Sequence, residues 1–512
     1  MSDNSSNNKR IAKNSIFMAI RMVFVLILTL YTTRIILNIL GVEDYGVYNV
    51  VCGFVSMFTF LNTSMSNGIQ RFFNFELGKN GIEGANKVFN AAILIQLILT
   101  IIIILLTESL GLWYLHNKMV IPIDRTFAAE WIFQFSILSF LFVIIQAPYA
   151  AAVMAHERMD FYAVVSVLDA VLKLTIVFAI PLFSGDKLII YGVLFALISI
   201  LNFFLYYTYC KRNFPEIKFK ICLDKSLFRS MLGFSSWNIF GSISGVMKEQ
   251  GINLVLNFFC GPIVNAARGV AQQINGGLQS FVQNIAVPVR PQMVTAYAQG
   301  NQRRAMNLTY SVSKLSCYLI YIMALPIIIE INYILTLWLG NNVPEHANTF
   351  VVIIILTSLL NNLNAAVSNV VHATGKMMRY QLSQGLIGIS SVPIAYYIMR
   401  IGGTPEHALL VVPMSMFIAQ VFALKTLKRL ISYSIKDYIR QVVVPFISVV
   451  VITFIVPLVP HYLMQEGLFR LVAVALTGCC TSCVIIYLIG LNSVERDIIK
   501  QVLGRIITRL KR

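Results

Sequence analysis

Long apolar runs recur along the whole chain. VFNAAILIQLILTIIIILLT (Val88–Thr107) and VVVPFISVVVITFIVPLVP (Val442–Pro460) are two of them. Each exceeds the roughly 18 residues that a helix needs to span a bilayer. The pattern predicts about fourteen transmembrane helices, at 14–40, 45–68, 86–107, 127–154, 160–183, 187–209, 230–257, 263–289, 306–330, 346–371, 380–400, 405–427, 440–461 and 467–490. Membrane strands would instead alternate polar and apolar residues over about 10 positions, and no stretch does so. The polar opening MSDNSSNNKR leads into a long apolar run without a small-residue cleavage site. It reads as the start of a first transmembrane helix, not as a cleaved signal peptide. The expected fold is an all-α polytopic membrane protein.

Between the spans, polar connections are short. The largest expected outer loop runs from Glu108 to Phe127, and the main inner connector is KRNFPEIKFKICLDKSLFR (Lys211–Arg229). From Val494 to Arg512, apolar residues recur at helical spacing with basic residues between them. This tail reads as an amphipathic helix on an anionic cytoplasmic leaflet. A shift of 219 residues superposes Asn38 on Asn257, Arg71 on Arg290 and Gly81 on Gly300. The shift equals a block of six spans. Six is even, so the second block enters the membrane in the same orientation as the first, a parallel repeat. The expected organisation is an N-lobe (1–210), the connector (211–229), a C-lobe (230–430), two further spans (431–493) and the tail (494–512). Two such lobes enclose a central cavity.

Composition strengthens this picture. Of 512 residues, 57% are hydrophobic and 12% charged, about half the charged share of a soluble domain. Mean hydropathy is +0.75. The net charge of +18 would suggest nucleic acid in a soluble protein, but its distribution excludes that reading. Of 40 Lys and Arg residues, 29 fall at the N-terminus, in the C-terminal tail and in the loops after even-numbered spans. Five lie on the other side (Lys118, Arg125, Lys187, Arg400 and Arg470), and six lie within spans. The positive-inside rule then places both termini in the cytoplasm. Eight cysteines make no paired framework, and Cys479, Cys480 and Cys483 sit inside the last apolar run as small helix residues.

Charges inside spans are costly, about 2.5–3.5 kcal/mol each for Arg or Lys at the bilayer centre. The six are Arg21, Arg34, Lys173, Lys248, Arg268 and Lys314; the clearest acids are Asp169, Glu249 and Glu330. Lys314 and Arg34 are open to snorkelling from a span end. In the eighth span Asn265, Arg268, Gln272, Asn275, Gln279 and Gln283 step by three or four, forming one polar stripe. The seventh span carries a matching stripe, Asn238, Ser242, Gly245, Glu249 and Asn253. The second adds Asn49, Ser56, Thr63 and Asn67, and the tenth adds Asn361, Asn362, Asn364, Ser368 and His372. Such stripes face other helices or a water-filled cavity. Amide side chains suit sugar hydroxyls, and arginine forks suit phosphate oxygens. A net cationic cavity favours an anion, so a diphosphate bearing sugars fits both. Glu249, then Asp169, are the candidates for ion coupling, because a carboxyl among apolar neighbours can bind and release a proton. No GxxxxGK[ST] loop occurs, and HERMD (His156–Asp160) lacks the second His of a zinc motif. Neither an enzyme nor a cofactor is expected.

YTTRIILNILGVEDYGVYNVV (Tyr31–Val51) resembles the first hairpin of Wzx-type polysaccharide flippases. GPIVNAARGVAQQINGGLQSFVQNIAVPVRPQMVTAYAQGN (Gly261–Asn301) is similar to their central segment. These belong to the multidrug/oligosaccharidyl-lipid/polysaccharide exporter superfamily. The resemblance implies alternating access, driven by an ion gradient or membrane potential. It implies undecaprenyl-diphosphate-linked oligosaccharide as substrate, for an O-antigen, capsule or exopolysaccharide, with membrane lipids, the polymerase and glycosyltransferases as partners. Arginines of the central cavity would hold the diphosphate, a role that passes here to Arg21, Arg34 and Arg268. Arg21 and Arg34 are 13 residues apart, roughly 220° around a helix. Both face one cavity only if the helix bends. Two other classes stand against this reading: a cation-coupled multidrug extruder of the same fold, which calls for buried carboxylates, and a membrane sugar polymerase or acyltransferase, which calls for sizeable outer loops.

Overall fold

The computed structural model describes residues 2–156, 158–219, 225–374, 378–430, 434–493, 495–497 and 500. Among them every regular element is helical. The first two helices, α1 (Ser2–Ser56) and α2 (Thr59–Leu106), are each broken by a glycine: Gly41 at φ 82° and Gly81 at φ 61°. Residues with a Cβ avoid this region, so glycine is the residue that lets the chain turn out of one helix and into the next. The breaks leave a separate segment over 42–80, crossing a turn at Met57 and Phe58. Gly300, which the shift of 219 residues sets on Gly81, also has positive φ, 76°. After α2 come a π-helical turn (Thr107–Gly111), α3 (Leu112–Asn117), α4 (Thr126–Ala155), α5 (Met159–Ala179) and α6 (Lys187–Asn213). Next are α7 (Lys225–Cys260), α8 (Pro262–Ala298), α9 (Gln302–Ile329), α10 (Ile331–Leu339) and α11 (Ala347–Ala373). The chain continues with α12 (Met378–Arg400), α13 (Pro405–Leu430), α14 (Ile435–Tyr438), α15 (Val444–Leu463) and α16 (Leu468–Ile485).

Eleven helical stretches among the described residues are long and apolar enough to cross a membrane. With α1 and α2 divided at their glycines, the segment 42–80, α7 and α8 bring the segments of spanning length to the expected fourteen. The chain is an all-α, multi-pass membrane protein. Leu105, Phe417 and Ile455 are more than 60% exposed, the disposition of side chains solvated by lipid tails.

One loop was over-read. Most of the outer loop expected over Glu108–Phe127 is helix, and only 118–122 is irregular before a 3-10 turn at Ile123–Arg125. Aromatic packing draws the polar stretch TESLGLWYLHN into the helix. Tyr114 stacks on Phe54 at 5.6 Å, and Gly111 lies against Phe133 and Phe54.

By contacts the chain divides into two compact units. Unit 1 comprises Met1–Val270, Asn341–Glu345 and Ser391–Ala408. In it α4 lies against α6 and α2, α5 against α1, and α7 against α2. Phe73, Phe89, Tyr149 and Tyr206 belong to its core. Lipid tails are as apolar as these side chains, so close packing and polar contacts, not exclusion of water, hold such helices together. Arg125 joins three helices by donating to Asp44, with Nε at 2.6 Å from Oδ1, and to Asp186. Asp186 also caps α6, accepting from the backbone of Leu188 at 2.9 Å. At Gly46 the helices touch backbone to backbone: a Cβ there would collide with the carbonyl of Pro262 at the start of α8. Backbone cannot yield as a flexible side chain can, so Gly46→Val should cost at least the ~1–3 kcal/mol of an overpacked site. Fluorescence-detected size exclusion would read this as lost monodisperse protein; an unchanged profile would refute the close approach.

Unit 2 comprises Ala271–Gly340, His346–Ser390 and Leu409–Arg512. There α9 packs against α11, α15 and α16, and Tyr310, Val367, Tyr380 and Tyr438 belong to its core. Two charged contacts bind its elements. Glu330, 2% exposed, accepts from Arg470 Nη2 at 2.7 Å and from Nε at 3.1 Å, and lies 2.8 Å from His461 Nδ1. Lys314 does not snorkel. It is 2% exposed and its ammonium lies 2.7 Å from Glu495 Oε2. Glu495 in turn exchanges capping bonds with Asn492, each 2.9 Å. The remaining tail residues, apart from 496, 497 and 500, lie outside the described residues, as do the side chains of Thr63, Asn67, Arg71, Asn238, Gln283, Arg290 and His372.

Candidate functional site

The α7–α8 hairpin carries the strongest candidate site. Gly261, at φ 76°, reverses the chain, and Pro262 opens α8. Proline suits a first turn because its missing N–H would have no intrahelical partner there. The reversal sets the polar stripe of α7 against that of α8. Asn265, wholly buried, donates from Nδ2 to the backbone O and the Oδ1 of Asn253, both at 2.8 Å. About one turn deeper, Arg268 Nη2 donates to Glu249 Oε2 at 3.0 Å. Lys248 Nζ lies 3.7 Å from the other oxygen of Glu249. Arg268 and Lys248 are each 6% exposed, whereas the Glu249 side chain is 42% exposed. Two buried cations therefore lie beside the same carboxylate. Arg268 Nε is buried without a hydrogen-bond partner. A guanidinium has five N–H donors, and this one has most of them unspent.

Neighbours fix this hairpin. Asn49 lies against Gly269, and Asn253 donates to the Asn49 carbonyl at 3.5 Å. Asn257 holds the loop before α4 by its backbone: the Val120 N–H donates to Asn257 Oδ1 at 2.9 Å, and Asn257 Nδ2 donates to Val120 O at 3.1 Å. Asn257 entered the sequence reading only as a repeat coincidence. Nothing in the sequence marks this clamp, because its partner is main chain.

The other candidates sit apart within their units. Gln272, Asn275 and Gln279 belong to unit 2 and are half-buried. Asn275 accepts from Ser358 and donates to Gln272 at 3.4 Å, and Gln279 accepts from Asn362 at 3.2 Å. This part of the stripe makes polar contact with α11. Arg21, in unit 1, donates to Ser166 Oγ at 3.1 Å and lies 5.1 Å from the Tyr162 ring centroid. Arg34 is half-buried on the same helix. Asp169 pairs with Lys173 at 2.8 Å and accepts from Asn202 at 2.7 Å. The i,i+4 spacing of Asp169 and Lys173 was the available signal for that pair. Among the described residues no group of three His, Cys, Asp or Glu side chains could hold a metal ion.

The fold is shared with solved structures of a lipid II flippase and of multidrug resistance transporters. The lipid II flippase MurJ, in an inward closed conformation, superposes with a TM-score of 0.71 at 15% identity, covering 94% of this chain and 100% of that one. A multidrug resistance MATE family transporter of the MOP superfamily, inward-facing, gives 0.65 at 12% identity, covering 80% and 98%. At these identities the likeness is one of fold. EpsK, an uncharacterized membrane protein of Bacillus subtilis (strain 168), is 22% identical over 330 residues, 61% of this chain. The chain spans 62% of the length of that curated relative. No protein-family model matches the chain.

Proposed function

We propose that the protein is a secondary transporter that flips undecaprenyl-diphosphate-linked oligosaccharide from the inner to the outer leaflet during assembly of a surface polysaccharide. The observation that carries this reading is Arg268, a buried guanidinium whose Nε has no hydrogen-bond partner, beside a second buried cation, Lys248. Such a cluster has a net attraction for an anion, and the fork can grip two phosphate oxygens at once. The fold shared with a lipid II flippase supports the same reading. In this mechanism the lobes read from the sequence alternate their opening, with both termini in the cytoplasm. The diphosphate takes over Arg268 from Glu249, and the freed carboxylate accepts the coupling proton. Asp169 is the second coupling candidate, Arg21 and Arg34 are further diphosphate ligands, and Asn253, Asn265, Gln272, Asn275 and Gln279 bind sugar hydroxyls. Polymerase and glycosyltransferases of the same assembly line are the expected partners.

The MATE neighbours favour a second reading, a cation-coupled drug extruder. Cationic drugs need an unclaimed carboxylate, and both Glu249 and Asp169 are already paired with cations. Deleting the gene separates the two. The flippase reading expects loss of a surface polysaccharide and accumulation of its lipid-linked repeat unit in the inner leaflet. Intact glycan with increased sensitivity to cationic dyes would establish the extruder instead.

A further inference from the structure

Unit 1 contains a cavity of about 510 Å³ that the Arg268 cluster does not use; it opens among α1, α2, α4, α5 and α6. Its size falls within the ~300–1,000 Å³ of small-molecule sites. What distinguishes it is the number of hydrogen-bonding groups on its wall. The wall includes five hydroxyls, of Ser56, Thr59, Ser136, Ser166 and Ser199. Each spends its proton on a backbone carbonyl three or four residues earlier, at 2.6–3.3 Å. A hydroxyl has one proton and two lone pairs, so what these groups can offer a guest is lone pairs. Two further polar atoms are buried without a partner, Ser139 Oγ and Asn202 Oδ1, and the Ser139 residue is 6% exposed. Gln146 and the phenols of Tyr48, Tyr162 and Tyr206 also line it, so the wall offers donors as well as acceptors.

Charge narrows the guest further. Asp169 is the carboxylate of this cavity, and Lys173 neutralises it from 2.8 Å. That ammonium also lies 5.1 Å from the Phe195 ring centroid. A metal cation or a cationic drug would have to displace a tethered cation, and Arg21 on Ser166 adds a further positive charge beside the wall, so the cavity disfavours a cationic guest. Val25, Phe140 and Phe195 provide apolar wall between the acceptors. A guest without positive charge, with hydroxyls that both donate and accept around its rim and with apolar C–H faces, is a sugar ring. We propose that this cavity is a subsite for one sugar of the glycan, with Ser139, Asn202 and Asp169 accepting its hydroxyl protons and Phe140 and Phe195 against its faces. The proposal rests on the flippase reading for the lipid-linked form of that sugar.

Purified full-length protein can be tested with two probes, bare undecaprenyl diphosphate and undecaprenyl diphosphate carrying N-acetylglucosamine. The wild type should bind the glycosylated probe at least tenfold more tightly. Ser139→Leu, which fills the cavity and removes the free acceptor, should erase that advantage while leaving affinity for the bare lipid within twofold. An advantage that survives Ser139→Leu overturns the subsite and leaves the flippase reading standing. A wild type that binds neither lipid overturns the flippase reading. Cys52 lines the same cavity and gives a test that spares the cavity wall. With the other seven cysteines replaced, a small water-soluble thiol reagent should label Cys52 at least fivefold more slowly with the glycosylated probe present. Protection by free N-acetylglucosamine as well would show that the ring is recognised from solution; protection by the glycosylated lipid alone, and not by the bare one, would show that it is recognised on its carrier. Labelling unaffected by both sugar forms rejects the sugar ring as guest.

Discussion

Arg268→Ala should abolish export of the lipid-linked glycan, by a hundredfold or more, while the protein remains in the membrane at normal abundance. A hundredfold loss corresponds to about 2.8 kcal/mol, a reasonable magnitude for losing a charge-assisted fork on a phosphate. The variant should still fold because Glu249 keeps a counter-ion, Lys248, at 3.7 Å. Arg268→Lys should retain part of the activity, since charge survives and the fork does not. Glu249→Gln should behave differently. It takes the Glu249 carboxylate away from two cations, each 6% exposed. Removing one partner of a buried pair costs about 3–5 kcal/mol, so abundance should fall along with export. Combining Glu249→Gln with Arg268→Gln should recover part of the abundance and none of the export, since Lys248 still loses Glu249. Quantified surface polysaccharide and size-exclusion profiles of a fluorescent fusion read the two effects separately. Normal export by stably inserted Arg268→Ala would end the diphosphate assignment.

The second large effect concerns folding alone. Glu330 sits 2% exposed at the end of α9, held by Arg470 of α16 and His461 of α15. Arg470→Ala would leave this carboxylate with the His461 ring as its remaining partner there, at a cost of about 3–5 kcal/mol. The purified variant should therefore lose its monodisperse peak at a clearly lower temperature than the parent. Replacing both residues, as Glu330→Gln with Arg470→Gln, should recover much of the loss. The contact of Arg470 with Glu466, whose side chain is 58% exposed, offers little compensation, because exposed pairs contribute at most about 1 kcal/mol. Equal melting of Arg470→Ala and parent would remove this contact from the stability of unit 2.

The spans were legible because a bilayer imposes one requirement, length of apolar helix, that leaves a coarse mark on sequence. The sequence marks Gly81 and Gly300 as positions that superpose under the shift of 219 residues, and the structure shows both at positive φ. The loop around Glu108–Asn117 was misread because its polar residues and glycine carry a turn signal that aromatic packing from Phe54 and Phe133 overrides. At the α7–α8 hairpin, periodicity revealed both stripes, and pairing of Arg268 with Glu249 follows from the reversal at Gly261. Contacts between distant parts left no such mark. Lys314 meets Glu495 across 181 residues, and from local sequence it was open to snorkelling.

The grip of Asn257 on Val120 has a consequence for reading relatives of this chain. Both bonds go to the main chain of residue 120, and the valine side chain itself is 43% exposed. Any residue with a backbone N–H serves the clamp equally, and proline, which lacks one, is excluded. Aligned sequences would therefore show a freely varying column at the point where the loop is held most firmly, with the constraint recorded 137 residues away, in the asparagine.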